Sequence, residues 1–164
     1  MDQIRQENAQ DWWDVEALYD LCFAPGREAL SSYRLRDGVT AVPELCLVMR
    51  DDADILGGAI RVWPVDISGH PTLLLGPVAV HPTRQGEGLG GALIAQVQDR
   101  ARKLGWARIL LVGDAPYYER FGFMPVSGVI MPPPTNPNRV LGYALTAGAW
   151  DGITGQVARA DQTL

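Results

Sequence analysis

The sequence predicts a single mixed α/β domain over residues 1–164, and three observations carry that expectation. Segments of strand period alternate with segments of helix period along the chain, with no internal repeat and no low-complexity tail. The run "TLLLGPVAV" (72–80) is apolar nearly throughout, as suits a central strand covered on both faces. With 47% apolar and 20% charged residues, a chain of 164 residues can bury one substantial core.

The elements follow in order. "QIRQEN" reads as a short first strand. Asp11 and Asp14 then stand at cap and third-position spacing, ahead of a helix with Val15, Leu18, Leu21 and Cys22 on one side. A second helix is expected over "REALSSYRLRD", stopped by Gly38. "ELCLVMR" and "ILGGAIRVWPVDI" flank "DDAD", the turn chemistry of a hairpin. Gly76 and Pro77 interrupt the central strand, and such a pair predicts a bulge where the hydrogen-bond ladder opens. From Gly88 onward, Leu89, Ala92, Leu93, Val97, Ala101 and Leu104 recur at helical spacing, ending at Gly105. "WARILLVG" is a second buried strand. "DAPYYERFGF" is a short helix leading into another strand, with Asp114 as its cap. "MPPPTNPN" is a stiff loop, and "RVLGYALTA" the last strand, giving the order βααβββαβαββ.

Composition excludes several function classes. The net charge is −5, and a general nucleic-acid binder needs a basic face. No apolar run reaches the length of a membrane span, and the N-terminus lacks a signal-peptide pattern, so a cytoplasmic protein is expected. Cys22 and Cys46 do not make a disulfide framework and read as two buried thiols, and no Cys/His spacing suggests a metal. Six Arg against thirteen Asp plus Glu leave residues 1–83 at −7, whereas residues 84–120 stand at +2.

That positive section begins at "RQGEGLGG", where Gly86, Gly88, Gly90 and Gly91 fall within six residues between the central strand and a helix. The first amides of a helix lack partners and the helix dipole is positive there, which favours anions. Glycines remove side chains that would hold a phosphate away, and permit turns that aim several amides inward. Arg84 and Gln85 can add donors at the rim. The stretch therefore reads as a pyrophosphate cradle. Gly86, Gly88 and Gly91 also satisfy G-x-G-x-x-G, with Asp114 at the end of the next strand, a formal match to a dinucleotide fingerprint. Context opposes that reading. "HPTRQ" separates the strand from the first glycine, half the chain precedes the motif, and too little βα material follows it.

"VHPTRQGEGLG" resembles the acetyl-CoA signature of the GNAT acetyltransferase superfamily, with Gln85, Gly88 and Gly90 in the Q/R-x-x-G-x-G/A positions. "YYERFGF" resembles that superfamily's Tyr-x-x-x-Gly-Phe segment through Tyr118, Gly122 and Phe123. The resemblance, to the bacterial N-acetyltransferase type, spans roughly residues 1–147 as topology. Its motifs occupy 72–91 and 114–123. It implies a mostly antiparallel sheet with a central parallel, splayed strand pair flanked by helices. It also implies acetyl-CoA as cosubstrate and no metal. Backbone groups of Val78 and Val80 would pair with the pantetheine amides, and amides of Gln85, Gly86, Gly88, Leu89, Gly90 and Gly91 would hold the pyrophosphate. Tyr118 would act as general acid on the thioester sulfur, and Tyr117 reads as a buried, packed aromatic.

Two features depart from the family. "GDAP" replaces an Asn-containing turn before the tyrosine, and "LLLGPVAV" has no Glu or His to act as base. His70 and His81 read as surface histidines, and Glu28 as a candidate for the acceptor pocket. The expected activity is acetyl transfer from acetyl-CoA to a small-molecule or peptide amine by direct attack in a ternary complex. A non-catalytic CoA-binding module and a nicotinamide-dependent oxidoreductase are the alternatives. The acceptor is not named by any motif, and a homodimer is compatible with the sequence.

Overall fold

A computed structural model describes residues 2–23 and 31–160. The strands among them are β1 (Gln3–Gln6), β2 (Leu47–Arg50), β3 (Leu56–Ile67), β4 (His70–Val80), β5 (Arg108–Val112), β6 (Met124–Pro125), β7 (Val129–Ile130), β8 (Val140–Ala144) and β9 (Gly155–Arg159). The helices are α1 (Trp12–Cys22), α2 (Ser31–Arg34), α3 (Leu89–Lys103) and α4 (Ala115–Glu119). The main sheet runs β1-β2-β3-β4-β5-β8-β6, antiparallel except for the parallel pair β4–β5. Beyond β2, the far end of β3 pairs with β9, which also takes β7 in parallel.

Local chemistry explains most boundaries. The hairpin between β2 and β3 closes because the Asp51 carboxylate accepts from the amides of Ala53 and Ile55 at 2.9 and 3.0 Å. The N-terminal capping box lies one turn earlier than the sequence spacing suggests. Asn8, in extended backbone, caps a 3-10 turn over Ala9–Asp11, and Asp11 supplies the reciprocal carboxylate. Asp11 itself is already helical and caps nothing in α1. The buried stripe of α1 is Val15, Leu18 and Tyr19, while Leu21 is exposed. At 100° per residue, Leu21 stands about 120° round the helix from Val15 and misses the stripe. Of the second predicted helix, the described part is Ser31–Arg34, and Gly38 follows it at φ 72°. Strands β7 and β9 have no counterpart in the sequence reading.

The sheet is covered on both faces, which accounts for the apolar continuity of its central strands. Leu73, Leu75, Ile109 and Leu111 face α3, meeting its buried Leu89, Leu93, Ile94, Val97 and Ala101. Leu74 and Leu110 point the other way, into a cluster with Leu35, Met131 and Val157. Helix α1 covers Val48, Ala59 and Ala79 on that second face. Fully burying each such aliphatic side chain contributes about 1.5–3 kcal/mol. Arg61 ties α1 to the sheet, donating to Glu7 at 2.9 Å and to Glu16 at 2.6 Å. No helix among the described residues is long and apolar enough to cross a membrane.

Candidate active site

The site is built on an opening in the sheet. β5 pairs with β4 only at Leu73 and Leu74, so residues 75–80 have no strand partner on that side among the described residues. On the other side, Ile60 stands opposite Val78 and Val62 opposite Leu75, leaving Arg61 to face both Gly76 and Pro77. This is the predicted bulge. Gly76 holds φ 138°, which side-chain-bearing residues avoid. The bulge carbonyls take side-chain donors: Trp63 Nε1 reaches Gly76 O at 3.0 Å, and the Tyr19 hydroxyl reaches Pro77 O at 3.1 Å.

All eight predicted cosubstrate-binding residues, Val78, Val80, Gln85, Gly86, Gly88, Leu89, Gly90 and Gly91, line one groove with Tyr118. The four glycines divide into two tasks. Gly86 and Gly88 have φ of 89° and 81° with open space where a Cβ would stand, so backbone conformation demands glycine there. Gly88 ends the loop in left-handed geometry as the N-cap of α3, and the first amides of that 15-residue helix follow it. Gly90 and Gly91 are glycines for closeness. A Cβ on Gly90 would lie 3.0 Å from the Tyr117 hydroxyl, and one on Gly91 2.8 Å from the Phe121 ring. They let the aromatic residues of α4 and its following turn close over the first turn of α3.

Arg84 does not serve as the free rim donor the sequence suggested. Its guanidinium is held by Glu87 at 2.9 Å and Asp2 at 2.7 Å. The groove's cation is Arg120, lying 4.7 Å over the Tyr117 ring and 5.4 Å from that of Phe121. Tyr117 is corrected as well: it is exposed and lines the groove rather than being buried.

Asp114 caps α4, accepting from Tyr117 N at 3.2 Å, which aims the next residue, Tyr118, into the splay. Tyr118 packs edge-on against Tyr117 at 4.9 Å and Phe123 at 6.0 Å, over Gly113, where any Cβ would strike its ring. Its hydroxyl has no hydrogen-bond partner among the described residues. Burial, helped by the neighbouring Tyr117, pushes that hydroxyl up to about 12. The phenol therefore stays protonated throughout the neutral range.

Tyr118 and Val78 also line a second cavity of about 150 Å³, reached from the opposite side of the sheet. Its walls include Phe23, Leu74 and Leu111, with Tyr33 and Arg36 at one end. None of its lining residues among those described is a carboxylate or a histidine. His81 is a structural cap, its Nδ1 accepting from Thr83 N at 3.2 Å, and His70 is exposed. Glu28 lies outside the described residues. Cys22 is half-buried rather than buried, with its thiol 3.4 Å from Val80 O. Arg36, Arg120 and Phe121 were missed from sequence. The i,i+3 pair Tyr33/Arg36 and the adjacent Arg120-Phe121 carried a stacking signal that reads at first as ordinary helix surface. No group of three or more His, Cys, Asp or Glu residues among the described residues is arranged to hold a metal.

A splayed parallel pair, a glycine loop running into a helix and a tyrosine at the junction define an acyl-CoA-type transferase fold. The chain belongs to the GNAT acetyltransferase family, whose acetyltransferase (GNAT) domain matches residues 43–125. The uncharacterized N-acetyltransferase YhbS of Escherichia coli is 33% identical over 123 residues, covering 73% of this chain and 72% of its own. The crystal structure of Escherichia coli YhbS in complex with CoA matches with a TM-score of 0.84 at 28% identity, over 97% of this chain and 89% of that one. A GNAT family acetyltransferase from Brucella melitensis, solved in complex with acetyl-CoA, matches with a TM-score of 0.75 at 30% identity, over 98% and 96%. The mostly antiparallel sheet and the capping role of Asp114 remove the basis for a dinucleotide-binding reading.

Proposed function

We propose that the protein transfers the acetyl group of acetyl-CoA to the nitrogen of a small-molecule or peptide amine by direct attack in a ternary complex. The observation that carries this reading is the junction at Tyr118, where the glycine-lined groove on one side of the splayed strands meets the second cavity on the other. Two substrates can approach one reacting carbon from opposite sides there, which converts an encounter in solution into an oriented one. The CoA and acetyl-CoA complexes of the relatives support the choice of donor.

In this reading the α3 N-terminus and the amides from Gln85 to Gly91 hold the pyrophosphate, and Val78 and Val80 align the pantetheine arm. The neutral amine attacks the thioester carbonyl; a C–N bond forms and the C–S bond breaks. Tyr118 donates its hydroxyl hydrogen bond to the departing sulfur. The amine loses one proton to solvent, and the thiol gains one through Tyr118. No base is drawn from the second cavity, so the amine must arrive deprotonated.

Thermal shift with acetyl-CoA, CoA and NADH tests the donor: ligand at about 100 Kd adds about 2.7 kcal/mol to stability. Release of free thiol with an amine library tests turnover. Stabilisation by acetyl-CoA without turnover on any amine would assign a CoA-binding module instead, and stabilisation by NADH alone would overturn both readings.

A further inference from the structure

Arg36 is a buried cation that acetyl transfer itself does not use. Its residue is 9% exposed, and its Nε has no hydrogen-bond partner. No carboxylate pairs with it among the described residues. Its guanidinium instead lies 3.8 Å from the Tyr33 ring centroid and 5.2 Å from that of Trp63. Burial draws its pKa down, yet an arginine stays charged in any protein interior. The buried Arg108 and the partly buried Arg61 are provided for. Arg108 donates to Ala149 O at 2.7 Å and Pro71 O at 2.8 Å, and Arg61 holds two glutamates. A buried charge with an unsatisfied N–H and no anion among the described residues is costly, and a bound anion would offset that cost.

The location says what that ligand is. Arg36 lines the same 150 Å³ cavity as Tyr118 and Val78, and one of its amino nitrogens approaches the Gly76 bulge, 3.9 Å from where a Cβ there would stand. With one guanidinium face covered by Tyr33, an edge is left for recognition, and the planar fork of that edge matches a carboxylate. A cavity of about this volume holds a benzene-sized molecule, and Leu74, Leu111 and Phe23 give it apolar walls. A cation with no carboxylate partner among the described residues also repels lysine-like and polyamine acceptors, which sharpens the choice.

We infer that the acceptor is a small amine bearing a carboxylate, and that Arg36 binds this carboxylate while the amine faces the thioester beside Tyr118. The inference rests on the acetyl-transfer reading for its amine and on the Arg36 cavity for its carboxylate, so the two are tested separately.

Amino acids are compared with their own amides as acceptors (alanine, β-alanine and leucine) at about pH 10, with each kcat/KM referred to the deprotonated amine, because the free carboxylate raises the amine pKa of the acid above that of its amide. The acid should exceed its amide by at least about tenfold in kcat/KM for one pair. Arg36→Gln should bring that ratio close to one, and Arg36→Lys should leave part of it, with acetyl-CoA affinity by calorimetry unchanged in both. Amides that match or exceed the acids in every pair would overturn the inference, as would a ratio that survives Arg36→Gln.

If no amine turns over, the acetyl-transfer reading falls, and the site is read by direct binding. Saturation-transfer NMR with isovalerate and its amide should show the carboxylate bound by the wild type and lost in Arg36→Gln. Equal signals in both proteins, or none in either, would overturn the carboxylate site.

Discussion

Tyr118→Phe isolates one hydroxyl. The ring contacts with Tyr117 at 4.9 Å and Phe123 at 6.0 Å survive the change, and no internal hydrogen bond is lost among the described residues. The variant should therefore fold with an unchanged Tm and bind acetyl-CoA with unchanged affinity. What it loses is the donor to the departing sulfur. With the hydroxyl pushed up to about 12 by burial, Tyr118 is a weaker acid than a tyrosine in water. Against a thiol near 8.5, complete proton transfer to a free thiolate is uphill by roughly 3.5 pKa units, about 5 kcal/mol. The desolvation that lifts the phenol also lifts a sulfur held beside it, which narrows the gap within the site. The contribution expected is thus that of a hydrogen bond to developing charge, about 1.5–3 kcal/mol. That corresponds to roughly a 10- to 150-fold fall in kcat.

The assay is thiol release at saturating acetyl-CoA, with calorimetry for cosubstrate affinity. Tyr143→Phe is the control, since that hydroxyl binds Arg102 at 2.9 Å away from the groove. The pH profile supplies an independent check. A donor active in its protonated form loses activity as pH rises through its own pKa, so Tyr118 should impose no descending limb below about pH 11. A wild-type rate in Tyr118→Phe, or a descending limb near pH 9 that vanishes in it, would refute the reasoning.

Further outcomes follow from the surrounding structure. Gly88→Val forces a branched residue into φ 81°, and should cost about 1–2 kcal/mol in stability and weaken acetyl-CoA binding at least roughly tenfold by calorimetry. Wild-type affinity in the folded variant would dismiss the cradle. Asp11, 2% exposed and bonded to Arg5 at 2.7 Å and Arg50 at 2.9 Å, should cost about 3 kcal/mol when replaced by Asn, read by urea unfolding. Its carboxyl is held well below the usual range, first by the Arg5 hydrogen bonds, so its contribution is present above about pH 3.9 and lost as pH falls through the lower folded value. Asp11→Asn should flatten that acid limb. With no base lining the acceptor cavity, an amine of pKa about 10.4 needs about 4.6 kcal/mol to deprotonate at pH 7, so its rate should rise steeply towards alkaline pH. A flat profile from pH 7 to 10 on such an amine would reveal a base outside the described cavity.

How legible each feature was follows from how local its cause is. The apolar run 72–80, the Gly76-Pro77 bulge, the helix behind Gly88 and the Asp114 cap rest on short-range chemistry, and they stand where the sequence put them. The capping box slipped by one turn because both Asn8–Asp11 and Asp11–Asp14 offer acceptors three apart, and only the extended backbone at Asn8 decides between them. Strands β7 and β9 escaped notice because two-residue pairing at Val129–Ile130 is stabilised by contacts brought from elsewhere in the chain. Gly90 and Gly91 line the groove as the sequence suggested, but the need for glycine at both also comes from Tyr117 and Phe121, some 30 residues downstream, which no local pattern shows. Arg84 reads from sequence as a free rim donor for the same reason: Asp2, which holds it together with Glu87, is 82 positions away.

The Gly76-Pro77 bulge is the element that joins these separate parts. One extra residue in β4 turns the strand away from β5, and that divergence opens both the groove and the acceptor cavity. The carbonyls freed by the bulge are held by Trp63 and Tyr19. Those same rings also meet arginines, Trp63 with Arg36 of the proposed acceptor cavity and Tyr19 with Arg61, which holds Glu7 and Glu16. The polar ends of these side chains thus anchor the opening while their ring faces support cations. Replacing Trp63 by Phe would release Gly76 O and replace the indole beside Arg36 with a smaller ring in a single step. Its effect should therefore appear on acceptor KM more than on acetyl-CoA affinity. A loss confined to acetyl-CoA binding would mean that the bulge shapes the donor groove alone.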